Sequence, residues 1–512
     1  MISALCVVFV VLMLYYMYLS LVKNHDYWKK KDVKFLKPKI VFGNYYEYIL
    51  MRKCLPQVTS EICDNFPNEP YIGSFYGTDP ALIVQDPEIV KLVLQKDFNY
   101  CTGREITGYS RKETFTNLIF FQGGDQWKVL RQNLTPLFTS AKVKNMFPLI
   151  KSCVDEFESL LEVETVENQE INIRSLLARY TMDCIISCVF GFKANCMKSS
   201  ESENPFVQIG LKIFDTSIMR GLKMACRSMW PELFYGLGFQ MFDEKIRTFF
   251  LKMFSELSNN LSDEPSKTDF LNLVLEWKKN SHITGSCYSP TGDKKEVNIE
   301  VNDELLTAQC AGFFGGGYET TASSLCFLLF ELAKNKPVQD RVIEEVDAYL
   351  LRNNGTIQYN CVNDLPYTEA CIEEALRIYP AFGLLTREVT HNYTLPTGLH
   401  LQKGDRIHIP IYHIHRNPNH FPEPEEYRPE RFLGEERNNI KQFTFMPFGE
   451  GPRYCMGIRF VKMPMHAAII TIFRKYRIEL AENMPQSLKF QPTGLVAQSA
   501  TGIFLKFMRR DD

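Results

Sequence analysis

Apolar residues recur at helical spacing along most of this chain, in 143–161, 173–190, 206–214 and 246–257. The same period predicts a long helix over 302–334, two shorter ones over 337–351 and 366–378, and another from Cys455 to about Tyr476. Strand signals are fewer. Residues 71–76 and 81–85 flank Gly77-Thr78-Asp79-Pro80, which reads as a hairpin turn. Asp86-Pro87-Glu88 then supplies a cap, a proline at the first helical position and an early acid, predicting a helix through Lys96. The Gly- and Ser-containing stretch 280–296 is polar and reads as a surface loop. A β-containing stretch covers 386–411, and a Pro-rich irregular one covers 417–432. No repeat or low-complexity block divides the chain, so the pattern predicts a mainly α fold with a minor β portion, a single large domain over 45–512.

The first segment departs from this pattern. Residues 2–22 carry no charge, and at a helical rise they span about 31 Å, close to a hydrocarbon core of ~30 Å. Lys23, Lys29, Lys30 and Lys31 follow, which favours a cytoplasmic C-terminal side. Tyr15, Tyr16, Tyr18 and Trp28 suit an interfacial aromatic belt. The run is long for a cleaved secretory signal and lacks a basic n-region and an A-x-A-like site. The expected organisation is a transmembrane signal anchor over 1–22, a basic flank and hinge linker over 23–44, and the catalytic body beyond, in contact with a lipid bilayer.

Composition narrows the function. A net charge of −2 over 512 residues argues against a nucleic-acid partner. The 15 cysteines are odd in number and form no C-x-x-C pair, so neither a zinc ribbon nor a dithiol redox motif is indicated. Scattered free thiols fit a reducing compartment.

One cysteine has unusual surroundings: Phe448-Gly-Glu-Gly451-Pro-Arg453-Tyr-Cys455-Met-Gly457. A thiolate bound to haem iron needs N–H donors and positive charge to hold it deprotonated. It also needs a backbone able to approach the porphyrin, which Gly451 and Gly457 permit. Phe448 can shield the sulfur, Arg453 can pair with a propionate, and a helix beginning just after Cys455 favours negative charge at its N-terminus. In the long helix, Gly315-Gly316-Gly317 precede Tyr318-Glu319-Thr320-Thr321. Three glycines in mid-helix each cost about 1 kcal/mol relative to alanine and invite a kink or a close approach. Glu319 and Thr320 place an acid and a hydroxyl where they can relay protons. Trp127 and Arg131, four apart, share a helical face that offers one donor and one carboxylate fork.

The cysteine stretch resembles the signature of the cytochrome P-450 family, F-x-x-G-x-R-x-C-x-G, at all five fixed positions. Residues 316–321 are similar to the family's oxygen-binding pattern. Glu374-x-x-Arg377 resembles its E-x-x-R, Pro429-Glu430-Arg431-Phe432 its P-E-R-F element, and Trp127-x-x-x-Arg131 its propionate-holding pair. The resemblance implies a cytochrome P-450 fold, haem b (iron protoporphyrin IX) with Cys455 as the iron ligand, and dioxygen as co-substrate. It implies that Trp127, Arg131, Arg387 and Arg453 hold the propionates, that Gly317 clears room at the porphyrin, and that Glu374, Arg377 and Arg431 brace the cysteine loop. It implies one-atom oxygen insertion into a lipophilic small molecule, with overall texture closest to insect xenobiotic-metabolising enzymes. No dinucleotide-binding unit is present in the sequence, so electrons from NADPH would arrive through a flavoprotein reductase, with cytochrome b5 as a possible helper. Lys128, Arg459 and Lys462 are candidates for the docking patch. The expected location is the cytoplasmic face of the endoplasmic reticulum membrane. Two alternatives keep the haem: a peroxide-consuming isomerase or dehydratase, and a membrane haem sensor. Neither needs Glu319-Thr320.

Overall fold

The computed structural model describes residues 2–104, 108–109, 113–260 and 269–510, without the side chains of 2–5, 114, 260 and 269. Two helices form its spine. Ile173–Phe190 is apolar on nearly every side and almost wholly buried, as a core helix should be. The Asn172 side chain caps its start by accepting from the Arg174 N–H, and left-handed Gly191 ends it. Against it packs the central helix Asp303–Lys334, started by the Asn302 side chain and two early acids. This 32-residue helix runs unbroken, about 48 Å long. Gly315–Gly317 lie inside it, and a Cβ on Gly317 would lie 2.5 Å from Ile185, a close approach of the kind the glycines invited.

Among the described residues the β structure is small. A four-stranded sheet runs in the order Tyr71–Tyr76, Asp79–Val84, Arg406–Ile409, Leu385–Glu388, and a three-stranded one in the order Tyr476–Leu480, Phe504–Arg509, Ile171–Asn172. The fold is therefore mainly helical with a minor β portion, as expected.

Two expectations fail here. Residues 280–296 are not a loop: His282–Tyr288 and Lys294–Glu300 pair as an antiparallel hairpin. It lies on the helix Gly124–Leu134, whose Lys128, Gln132 and Asn133 side chains donate to its Tyr288, Ser286 and Thr284 carbonyls at 2.7, 2.6 and 3.0 Å. Nor is 23–44 a linker. Trp28, assigned to the membrane interface, is 1% exposed and donates its indole N–H to the Ser74 carbonyl at 2.8 Å. Gly73 makes room for it, since a Cβ there would lie 2.4 Å from the indole ring. Phe35 and Gly43 then bridge to Gly73 and Tyr76, so this segment belongs to the domain.

The N-terminal helix Ile2–Val22 forms as expected, and its side chains from Val7 to Leu19 are exposed. Its described side chains begin at Cys6. Among the described residues no helix is long and apolar enough to cross a membrane, so the expected crossing is not supported there.

Candidate functional site

Of the 15 cysteines, eleven are buried, whereas Cys455 is exposed. The surrounding protein still pushes its thiol pKa up by desolvation. Backbone N–H groups of Gly457 and Ile458, and the charge of Arg131, pull that pKa back down. The N–H donors come from the N-cap Gly457 and the first residue of the helix Ile458–Lys475, which begins three residues after the cysteine. The loop before it is fixed by the Cys455 N–H donating to the Phe448 carbonyl at 2.9 Å. Gly451 sits at φ +71°, and a Cβ on it would lie 1.8 Å from the Leu94 carbonyl oxygen. Only glycine fits that approach.

Behind the loop, Arg377 grips Glu374 through Nε and Nη2 at 2.7 and 2.9 Å and donates to the His415 carbonyl at 2.8 Å and the Glu426 carbonyl at 3.1 Å. Arg431 adds a 3.3 Å contact to Glu374. The expected brace is present. A member not expected is His415. Its Nδ1 lies 3.2 Å from the Arg377 carbonyl, and its Nε2 accepts from the Met446 N–H at 2.8 Å, two residues ahead of Phe448. Burial, aided by Arg377, pushes its pKa down to about 3, so the ring is neutral.

Four guanidiniums gather beside this loop: Arg104, Arg131, Arg387 and Arg453. Arg453 stacks on the Trp127 ring at 4.2 Å and donates to the Thr102 and Gln122 carbonyls at 2.7 and 2.6 Å. Arg131 lies over Tyr454 at 4.9 Å. Arg387 is fully buried, with one bond to its own Thr386 carbonyl at 2.8 Å. Burial, then mutual repulsion, lowers the pKa of both Arg387 and Arg453. The Nε of each is buried without a partner among the described residues. Arg104, which sequence reading missed, joins only through the fold.

On the central helix, Gly316 is exposed and a Cβ there would meet nothing within 4 Å, so this face opens onto free space. Thr320, one turn on, donates its hydroxyl to the Gly316 carbonyl at 2.7 Å, which leaves its oxygen able to accept. Two expected site residues lie elsewhere. A Cβ on Gly317 would lie 2.5 Å from Ile185, so this glycine serves helix packing, and Gly316 holds the open position. Glu319 is buried and turned away from the open face. It accepts from Arg174 and Gln498, each at 2.8 Å, because its charge finds a counter-ion there.

A cavity of about 200 Å³ is lined by Phe120, Phe121, 381–384 and 495–497. Phe313 stacks on Phe138 and meets Phe270 edge-on, and Phe206 packs on Phe249, so neither lines it. Of the candidate docking cations, Lys128 is bonded to Tyr288 and Lys462 to Glu369, leaving Arg459 exposed.

The family model described as Cytochrome P450 matches residues 34–507. The chain belongs to the cytochrome P450 family. Cytochrome P450 6B6 of Helicoverpa armigera is 32% identical over 479 residues, covering 93% of this chain and 92% of the relative. Cytochrome P450 6k1 of Blattella germanica is 31% identical over 499 residues, covering 96% and 94%. Cytochrome P450 9e2 of the same species is 30% identical over 509 residues, covering 95% and 94%. This P450 is thus a monooxygenase whose family uses haem iron and dioxygen. Its residues fit the haem. A cluster of buried and half-buried cations, with an orphaned Nε on Arg387 and on Arg453, calls for a polyanion such as a pair of propionates, and Cys455 alone among the cysteines of the described globular body is left open.

Proposed function

We propose that this P450 is a membrane-associated monooxygenase of lipophilic small molecules, either xenobiotics such as plant toxins and insecticides or endogenous lipids. It would draw electrons from NADPH through a flavoprotein reductase, with cytochrome b5 as an accessory. The carrying observation is the pairing of an open, N–H-supported Cys455 with the unmatched cluster of Arg131, Arg387 and Arg453. In this reading Cys455 is the axial ligand, and the arginines with Trp127 hold the propionates. When bound, the haem supplies reductive activation of dioxygen and transfer of one oxygen atom to substrate. Phe448, Gly451 and Gly457 shape the thiolate's backbone setting, and the Arg377–Glu374–His415 brace holds that loop in place. Thr320 offers an acceptor oxygen on the open helix face and can position a water that carries protons inward. Glu319 would supply protons only after leaving Arg174.

Membrane association rests on the uncharged 2–22 helix with Lys23 and 29–31 behind it, and on a second apolar surface. Ile218, Met219 and Leu233 are exposed on the helices Ile218–Met229 and Pro231–Gly236, and Leu237 is exposed at the end of the second. The first of these packs against Tyr46–Ile49, next to exposed Leu50. The cytoplasmic face of the endoplasmic reticulum suits the basic flank and the free cysteines.

Reconstitution with the reductase tests the reading: NADPH and oxygen should be consumed, with one labelled oxygen atom entering a lipophilic product. Turnover of an organic peroxide without reductase, and none with it, would refute the monooxygenase cycle.

A further inference from the structure

The 200 Å³ cavity is walled largely by carbon, with Phe120, Phe121, Met224, Phe242, Phe382 and Val496 around it. Two guanidiniums interrupt that wall, Arg104 and Arg227. They rest on neighbouring rings, Arg104 over Phe120 at 4.7 Å and Arg227 over Phe121 at 4.8 Å, with the two rings 5.0 Å apart. Arg104 belongs to the cluster beside the cysteine loop. Arg227 has no part in it.

Arg227 is 4% exposed. Its Nε donates to the Tyr235 hydroxyl at 2.7 Å, while its Nη2 is buried and without a partner among the described residues. Glu113 is held at one remove: it accepts from the Tyr235 hydroxyl at 3.3 Å and from the Phe242 N–H at 2.7 Å. Arg220 is the second cation, over the Phe242 ring at 4.6 Å and bonded to the Met241 and Ile213 carbonyls. Burial lowers its pKa to about 10, and Arg227 adds repulsion. Arg220 has two carboxylates acting on it, Glu113 and Asp215, whereas Arg227 keeps one guanidinium donor unused at the margin of an apolar cavity. A buried charged donor left unmade is costly, and an anion with two acceptor oxygens is what it fits best.

We propose that this cavity selects lipophilic monocarboxylates, seating the carboxylate on Arg227 and the hydrocarbon along the Phe120–Phe121 wall. This rests on the reading of the cavity as the substrate compartment of the monooxygenase. A neutral ligand of the same length would gain the wall and forfeit the ion pair.

Equilibrium dialysis on the haem-loaded full chain tests this, with labelled dodecanoate against dodecanol. Wild type should bind dodecanoate at least tenfold more tightly than dodecanol. Arg227→Gln should bring the two to parity without weakening dodecanol, and Arg227→Lys, which keeps the charge, should recover part of the preference. An unchanged carboxylate preference in Arg227→Gln overturns the proposal, as does parity in wild type; in both cases dodecanol binding leaves the substrate-compartment reading intact. Failure of wild type to bind either probe overturns that reading and the proposal with it.

Discussion

Arg377 and Arg387 are both fully buried, yet their surroundings are opposite. Arg377 makes two bonds to Glu374 and two to carbonyls, so the protein alone neutralises and saturates it. Among the described residues Arg387 bonds only the carbonyl of its own neighbour, keeps an orphaned Nε, and faces another cation in Arg104. The first environment is complete as it stands. The second is complete only with a partner's negative charge. That contrast separates the brace behind Cys455 from the cradle beside it: a saturated buried charge marks structure, and an unsaturated one marks a binding role.

Breaking the saturated side should have the largest effect. Arg377→Ala strands Glu374 without its bidentate partner and should cost about 3–5 kcal/mol in chemical unfolding, with loss of haem-loaded protein on expression. A cost under 1 kcal/mol would place the brace among ordinary ion pairs. Next comes pH. His415 is neutral when folded, with its pKa near 3, whereas the unfolded ring takes a proton below about 6.5. Its contribution is therefore whole above pH 6.5 and falls as the solution is acidified, by about 1.5–2 kcal/mol between pH 6.5 and 5. His415→Gln should be less stable at neutral pH and should lack that part of the acid slope, measured by unfolding across the range.

The cradle predicts effects of two signs. Arg387→Leu removes a repelled cation, so haem-free protein should unfold no earlier, and should even gain. The haem-loaded form should lose its cofactor to apomyoglobin about tenfold faster, a difference of ~1.4 kcal/mol. Destabilisation of both forms would make Arg387 a structural residue like Arg377. The smallest effect concerns the central helix. Thr320→Ala should leave stability unchanged or slightly higher, alanine being the better helix former, while hydrogen peroxide release per NADPH rises severalfold. Glu319→Gln should instead lower stability by weakening the Arg174 pair and disturb coupling less.

Local pattern carried much of this. Ile173–Phe190 and Pro366–Ile378 run to the very residues that periodicity indicated, since each has its own caps or a leading proline. The cysteine loop was legible because its glycines, arginine and cysteine fall within one short stretch, 451–457. What could not be read depends on distant neighbours. The 282–300 hairpin is polar along most of both strands and is held by side chains some 150 residues away. Trp28 is buried because Gly73 lacks a side chain. Gly316 and Gly317 differ only by the 100° that separates successive helical residues, so their roles turn on what packs beside them. Arg104, Arg174 and His415 carry no local signature, and only folding brings them to Arg387, Glu319 and Met446.

The central claim is that the Cys455 sulfur binds the haem iron as a thiolate. The most direct test is the carbon monoxide difference spectrum of the reduced protein, compared between wild type and Cys455→Ala. The account predicts the red-shifted Soret band of thiolate ligation in wild type and its loss in the variant. A band typical of histidine ligation in wild type, or an unaltered spectrum in Cys455→Ala, would contradict it.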